Sequence, residues 1–154
     1  MDSRDDLAAL HALIEGWVQA LRDKDAAAAV AHVAPEPTAF TLAPPLVSDS
    51  DGPDGLQAWF DTWRGGLRYE LADLEIAVSG DLGHAHFLTR LDGTKTDGSD
   101  AGLWFRQTLC FRRLDAGWRI VHLHQSVPFH MDGSFRAAVD LMPVRRPRPS
   151  SPCT

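Results

Sequence analysis

Two histidine pairs, His84-x-His86 and His122-x-His124, stand in segments that read as extended chain. Alternate residues of a strand share one face, so each pair presents two imidazoles to the same side. Imidazole changes charge near neutral pH and can ligate a metal through either nitrogen. Four converging rings could bind zinc or iron, but no Asp, Glu or Cys at ligand spacing joins them, and no metal site is expected. Two readings remain open. The histidines are structural, hydrogen-bonded across a sheet or a subunit interface. Alternatively His86 or His124 lines a pocket as general base or as donor to a ligand carbonyl. Arg106 is the second chemical signal, a guanidinium in mid-strand on the face of Trp104, Thr108 and Cys110. A charge there must be paired or face a cavity. In a cavity it would clasp a carboxylate or enolate oxygen; otherwise it bridges to a covering helix or a partner chain. Arg90 has the same two readings.

The carboxylates are less informative. No Asp or Glu stands at an obviously buried strand position, and Asp49 and Asp51 read as loop or capping residues. Cys110 has no base near it in sequence and reads as inert core. Trp17, Phe40, Trp59 and Trp63 would roof a hollow suited to a flat, apolar ligand.

These groups need a sheet to hold them. Leu103 to Phe129 reads as two long strands joined at Asp115-Ala116-Gly117. Strands of that length must twist and curl, which gives the sheet a concave side. Strict alternation puts Trp118, Ile120, His122, His124 and Ser126 on one side, with Val121, Leu123 and Gln125 on the other. Neither set is purely apolar, and a bulge would swap the faces. With the histidines turned outward, Gln125 becomes the pocket residue.

Upstream, Leu7, Leu10, Leu13, Ile14, Trp17, Val18 and Leu21 recur at helical spacing. Ser3 and Asp6 resemble a capping box. Asp25 caps a second, Ala-rich helix expected to run to about Val33, where Pro35 and Pro37 end it. Thr38 to Leu42 alternates as a short strand, and a loop follows to Asp51. A third helix starts at Asp51 or Gly52, buries Leu56, Trp59, Phe60 and Trp63, and stops at Gly65-Gly66. From Tyr69 the period falls to two. Leu74, Ile76 and Val78 mark one strand and His84–Leu91 the next, before a glycine-rich loop over Gly93–Gly102. Phe135–Leu141 suggests one helical turn, and the segment from 144 to 154 a disordered tail. Helices first and strands later imply one α+β domain over 1–143, with helices on one sheet face and water or a partner on the other.

The 154 residues carry a net charge of −6 and are 44% hydrophobic, enough for a core. That acidity argues against nucleic-acid binding. Two cysteines cannot build a secreted disulfide framework, and no apolar run approaches a membrane span. A cytoplasmic protein is expected, with neither nucleic acid nor membrane as a partner.

Phe40–Leu46 (FTLAPPL), Trp59-x-x-x-Trp63, Ala85–Leu91 (AHFLTRL), the Leu103–Phe129 hairpin and Asp140–Pro143 (DLMP) together resemble a known family. It is the SnoaL-like, ketosteroid-isomerase-like family of the nuclear transport factor 2-like superfold. The Val-His-x-His segment is also similar to the association domain of calmodulin-dependent kinase. The resemblance implies a cystatin-like cone, a curved antiparallel sheet wrapped round N-terminal helices, and a homodimer packed through the outer sheet face. It does not imply one chemistry. Relatives of the motif often carry Asp in the strand after Phe40; here Thr41 stands there, which argues against an Asp-dependent isomerase. The expectation is a cofactor-free pocket for an apolar, carbonyl- or carboxylate-bearing small molecule, with isomerase, lyase or cyclase chemistry within reach. His86, His124 and Arg106 are its expected catalytic groups. Trp17, Phe40, Trp59, Trp63, Arg90, Trp104, Thr108, His122 and Gln125 are its expected ligand contacts. The rival expectation is a non-catalytic binding or dimerisation module with a vestigial pocket.

Overall fold

The structure, a computed structural model, describes residues 3–48 and 52–144. The expected caps at Asp49 and Asp51 and nearly all of the expected tail lie outside the described residues. Helix α1 (Ser3–Arg22) buries Leu10, Leu13, Ile14, Trp17, Val18 and Leu21 along one stripe. Its C-terminal end is fastened to the sheet, where Arg22 Nε and Nη2 donate to the Tyr69 carbonyl at 3.1 and 2.7 Å. Helix α2 (Ala26–Ala31) is capped by Asp25, whose carboxylate accepts from the Ala28 N–H at 3.0 Å. It stops short of Val33 because Val33 already pairs with Ile120 in the sheet.

Strand β1 (Val33–Phe40) therefore begins earlier than expected and runs through Pro35 and Pro37. The two prolines are tolerated because β1 is an edge strand whose register slips between Val33 and Thr38. Helix α3 (Gly52–Phe60) ends before Trp63, which opens strand β2 (Trp63–Ser79) instead of closing the helix. Gly65 and Gly66 lie inside β2, at the slip in register between Arg64 and Arg68. Strands β3 (Leu82–Lys95) and β4 (Asp100–Leu114) consume most of the expected glycine-rich loop, with Gly93 opposite Ala101 and Thr94 opposite Asp100. Strand β5 (Gly117–Ser126) follows a tight turn whose Gly117 takes φ 101°, a conformation that favours glycine. No helical turn forms at Phe135–Leu141; an isolated bridge joins Phe129 to Ala137 there.

The five strands lie in the order β1-β5-β4-β3-β2, with β1 parallel to β5 and every other pair antiparallel. Slips in register curl β2 twice, the second between Ala72 and Glu75, where Asp73 adopts φ 55°. The helices occupy one face. Ala85, Phe87, Leu91, Phe105, Leu109, Phe111, Trp118 and Ile120 meet α1 in a single core. An ion pair between the buried Asp6 and the half-buried Arg113 pins the N-terminal end of α1: Arg113 Nη2 lies 2.7 Å from Asp6 Oδ1, and Trp118 Nε1 donates to the same oxygen at 3.4 Å. The architecture is an α+β roll with a curved, open sheet wrapped round N-terminal helices. Among the described residues no helix is long and apolar enough to cross a membrane.

Candidate functional site

A bulge in β5 decides which side chains look inward. Ile120 pairs with Phe111 and His122 with Cys110, so Val121 is an extra residue. Before the bulge Trp118 and Ile120 face the helices; after it the inward residues are Leu123 and Gln125. His122, His124 and Ser126 turn to the outer face.

The inner floor is apolar except at its centre. Thr89 and Gln107 are 1% and 3% exposed, and Thr89 Oγ1 donates to Gln107 Oε1 at 3.2 Å. Gln107 stands opposite Gln125 in the ladder. Its Nε2 has no hydrogen-bond partner, and neither does Trp63 Nε1. Among the described residues these are the buried side-chain polar atoms left unpaired, and both are donors. Burial also pushes the Tyr69 hydroxyl up, which keeps it neutral. Of the expected ligand contacts, Trp17 and Trp63 are buried in this core and Trp59 packs against it. Trp59 and Trp63 meet edge to face at 5.8 Å.

Gln125 also lines an open cleft of about 650 Å³ at the end of β1 and β5. Its other walls are Phe40, His124 and the Thr41–Val47 loop, with a cis peptide bond between Pro44 and Pro45. The loop is held by Thr41 Oγ1, 2.9 Å from Ser48 Oγ and 3.2 Å from the Ala43 carbonyl, to which it donates. Leu46 is 95% exposed on its crest. The volume suits a drug-sized ligand, and the lining is apolar with a few polar groups. Phe40, His124 and Gln125 are thus brought together, although Phe40 is not part of the roof. It packs edge-on against His122 and His124 at 5.0 and 5.4 Å.

The remaining expected residues stand on the outer face, away from the helices, contrary to the placement expected for a shared hollow. Arg106 is exposed and its Nε donates to Ser126 Oγ at 3.1 Å. His86 is exposed, 3.7 Å from Glu75 Oε2. Thr108 lies between His86 and His124 in the ladder, and Cys110 between His84 and His122. His122 Nδ1 is 2.7 Å from the Thr38 carbonyl oxygen. Trp104 pairs with Arg90, whose Nη2 holds Asp92 at 2.6 Å. Among the described residues no group of three His, Cys, Asp or Glu side chains is arranged to hold a metal ion.

A second cleft, about 480 Å³, is lined by Arg64, Arg68, Arg90, Asp92 and Asp100 among others. Its cations are already engaged: Arg90 with Asp92, Arg68 with Glu70, and Arg64 with the Thr96 carbonyl. Each of those contacts would have to be given up for a ligand, so the first cleft is the better candidate.

The buried pair Thr89–Gln107 is not among the expected site residues. Its signal was present in the sequence: two polar residues on the faces shared with Ala85 and Phe87, and with Phe105 and Leu109.

The comparisons fit this architecture. The family model of the SnoaL-like domain matches residues 10–130. An NTF2-like protein of unknown function from Pseudomonas putida KT2440 is 31% identical; the match covers 92% of this chain and 99% of that one, with a TM-score of 0.77. A ketosteroid isomerase-like protein from Erwinia carotovora atroseptica SCRI1043 shares the fold at 19% identity, over 79% and 95% of the two chains, with a TM-score of 0.64. The association domain of C. elegans CaMKII does so at 14% identity, over 80% and 97%, also with a TM-score of 0.64. No curated protein matches the chain.

Proposed function

The chain belongs to the SnoaL-like domain family, and on that premise we propose that it binds an apolar small molecule carrying a carbonyl or carboxylate oxygen. One observation carries the reading: Gln107 Nε2 is a buried N–H donor with no partner inside the protein. A buried donor without an acceptor costs about 1–3 kcal/mol, and a ligand oxygen would recover that cost. Gln125, opposite Gln107 in the ladder, also lines the cleft beside the Thr41–Val47 loop, which we take as the ligand's way in.

The chemistry that fits this arrangement is recognition of a carbonyl or carboxylate oxygen by the Gln107 N–H. His124 lines the rim of the cleft from the outer face, across the sheet from Gln107, and so is not the base for a proton beside that oxygen. His86 and Arg106, on the outer face, belong to a different task. Phe40, Leu88, Trp104 and Cys110 are half-buried there in one chain, ringed by charged groups, which is the make-up of a subunit interface. We read this face as the contact between two copies, in keeping with the fold shared with a CaMKII association domain. A cytoplasmic setting suits the free thiol of Cys110.

The test of the pocket is a thermal-shift screen of aromatic carboxylic acids and ketones on the wild type and on Gln107→Leu. Compounds that raise the wild-type midpoint and not that of the variant support the reading. Compounds that shift both equally overturn it.

A further inference from the structure

The outer face of the sheet carries four histidines in a rectangle. His84, Cys110 and His122 form one row across β3, β4 and β5, and His86, Thr108 and His124 form the next. The His84 and His86 rings lie 6.3 Å apart, nearly parallel at 17°, and those of His122 and His124 lie 6.4 Å apart. Strand geometry makes the rectangle about 7 Å by 10 Å. Few anions lie near it. From β2 come Glu75, 3.7 Å from His86, and Glu70, held at 2.9 Å by Arg68. β3 contributes Arg90 with Asp92. The register puts Arg106 and Arg112 beside the histidines on β4, with Arg119 opposite Arg112 on β5. Cys110 adds a thiol, and β1 carries the exposed Glu36 two residues before the uncharged Thr38 and Phe40.

We propose that this face is a pH-gated contact between two copies of the chain, closed when the four imidazoles are neutral and opened when they are protonated. The proposal rests on the dimer reading above. In a two-fold contact the same patch faces itself, so each imidazolium gained is opposed by the partner's own cations. The arginines already supply positive charge without a matching carboxylate at the centre. Neutral imidazoles, by contrast, pack as half-apolar rings, as His122 and His124 already do against Phe40. Imidazole changes charge between about pH 5 and pH 8, so the contact weakens within that range. By linkage, each histidine whose proton is excluded from both copies, two protons per dimer, lowers the association constant up to about 100-fold per pH unit.

The experiment is sedimentation velocity of the full chain from about pH 8 to about pH 5, with circular dichroism to confirm that the monomer stays folded. A dimer near pH 8 that becomes a folded monomer near pH 5 is expected. The His84→Gln/His86→Gln/His122→Gln/His124→Gln variant should stay dimeric across the range. If the quadruple variant does not fold, His84→Gln/His86→Gln should flatten the pH response by half or more. A chain monomeric at every pH overturns the dimer reading and this proposal with it. A wild-type dimer indifferent to pH, or a variant as sensitive as the wild type, overturns only the gate.

Discussion

Gln107 allows a test in which stability and binding move in opposite directions. Its Nε2 is buried without a partner, while its Oε1 accepts from Thr89 Oγ1. Gln107→Leu removes the unpaired donor, a gain of about 1–3 kcal/mol, but strands the Thr89 hydroxyl at a cost of similar size. The single variant should therefore melt close to the wild type. Thr89→Val/Gln107→Leu removes both polar groups and leaves an apolar floor. It should be more stable than the wild type by about 1–2 kcal/mol, which is roughly 2–8 °C in a domain of this size. Ligand binding should follow the opposite course. Without the donor, a carbonyl or carboxylate loses about 1.5–3 kcal/mol, a ten- to hundred-fold weakening. Differential scanning fluorimetry with and without the compounds that shift the wild type reads both quantities. A double variant several degrees less stable than the wild type would show that Gln107 is a structural residue whose amide is already satisfied. A double variant that keeps the full ligand shift would remove Gln107 from the site.

Other substitutions test the remaining parts of the argument. Arg106→Ala, on the outer face, should change stability by no more than about 0.5 kcal/mol and leave the ligand shift intact; loss of the shift would return the guanidinium to the binding site. Gly93 has no room for a side chain, since an added Cβ would meet Trp63 Cε3 at 2.7 Å. Gly93→Ala should accordingly cost about 1–3 kcal/mol in chemical denaturation, and an unchanged midpoint would show that the indole yields freely. The Asp6 carboxyl is held below the usual carboxylate range, chiefly by the Arg113 guanidinium and with help from the Trp118 indole, against an opposing push from burial. A depressed carboxyl stabilises the fold above its unfolded value of about 3.9 and loses that contribution as pH falls through the folded value. Asp6→Asn should therefore lower stability at neutral pH and flatten the acid limb of the stability curve; an acid limb identical to wild type would assign the acid sensitivity elsewhere.

The elements were legible where composition and period agreed. The stripe of α1 and the hairpin turn at Gly117 follow from apolar spacing and from the one glycine that the turn needs. Boundaries failed where a residue's usual habit was overruled by a neighbour. Pro35 and Pro37 read as helix breakers, yet an edge strand has room for them. Gly65 and Gly66 read as a helix stop, yet they sit where β2 slips in register. Trp63 fits helical spacing after Trp59, yet its ring lies against Gly93 in the β2–β3 ladder.

The site turned on a single residue. In a strand every inserted residue sends the whole downstream set to the opposite face. Val121 is that residue, and nothing in its type announces it, because a valine suits an unbroken strand equally well. What fixes the bulge is the demand at its two ends. Trp118 and Ile120 must face α1, where the indole N–H reaches Asp6 and Ile120 is fully buried. Beyond them Leu123 must also face inward, and from Ile120 to Leu123 is an odd step that strict alternation cannot take. One extra residue reconciles the two. The same step turns His122 and His124 outward beside His84 and His86, and leaves Gln125 facing inward, in the lining of the open cleft beside the Thr41–Val47 loop. A packing requirement at Trp118 and Ile120 thus sorts the chemistry further along β5: the amide of Gln125 to the inner face, the imidazoles of His122 and His124 to the outer one.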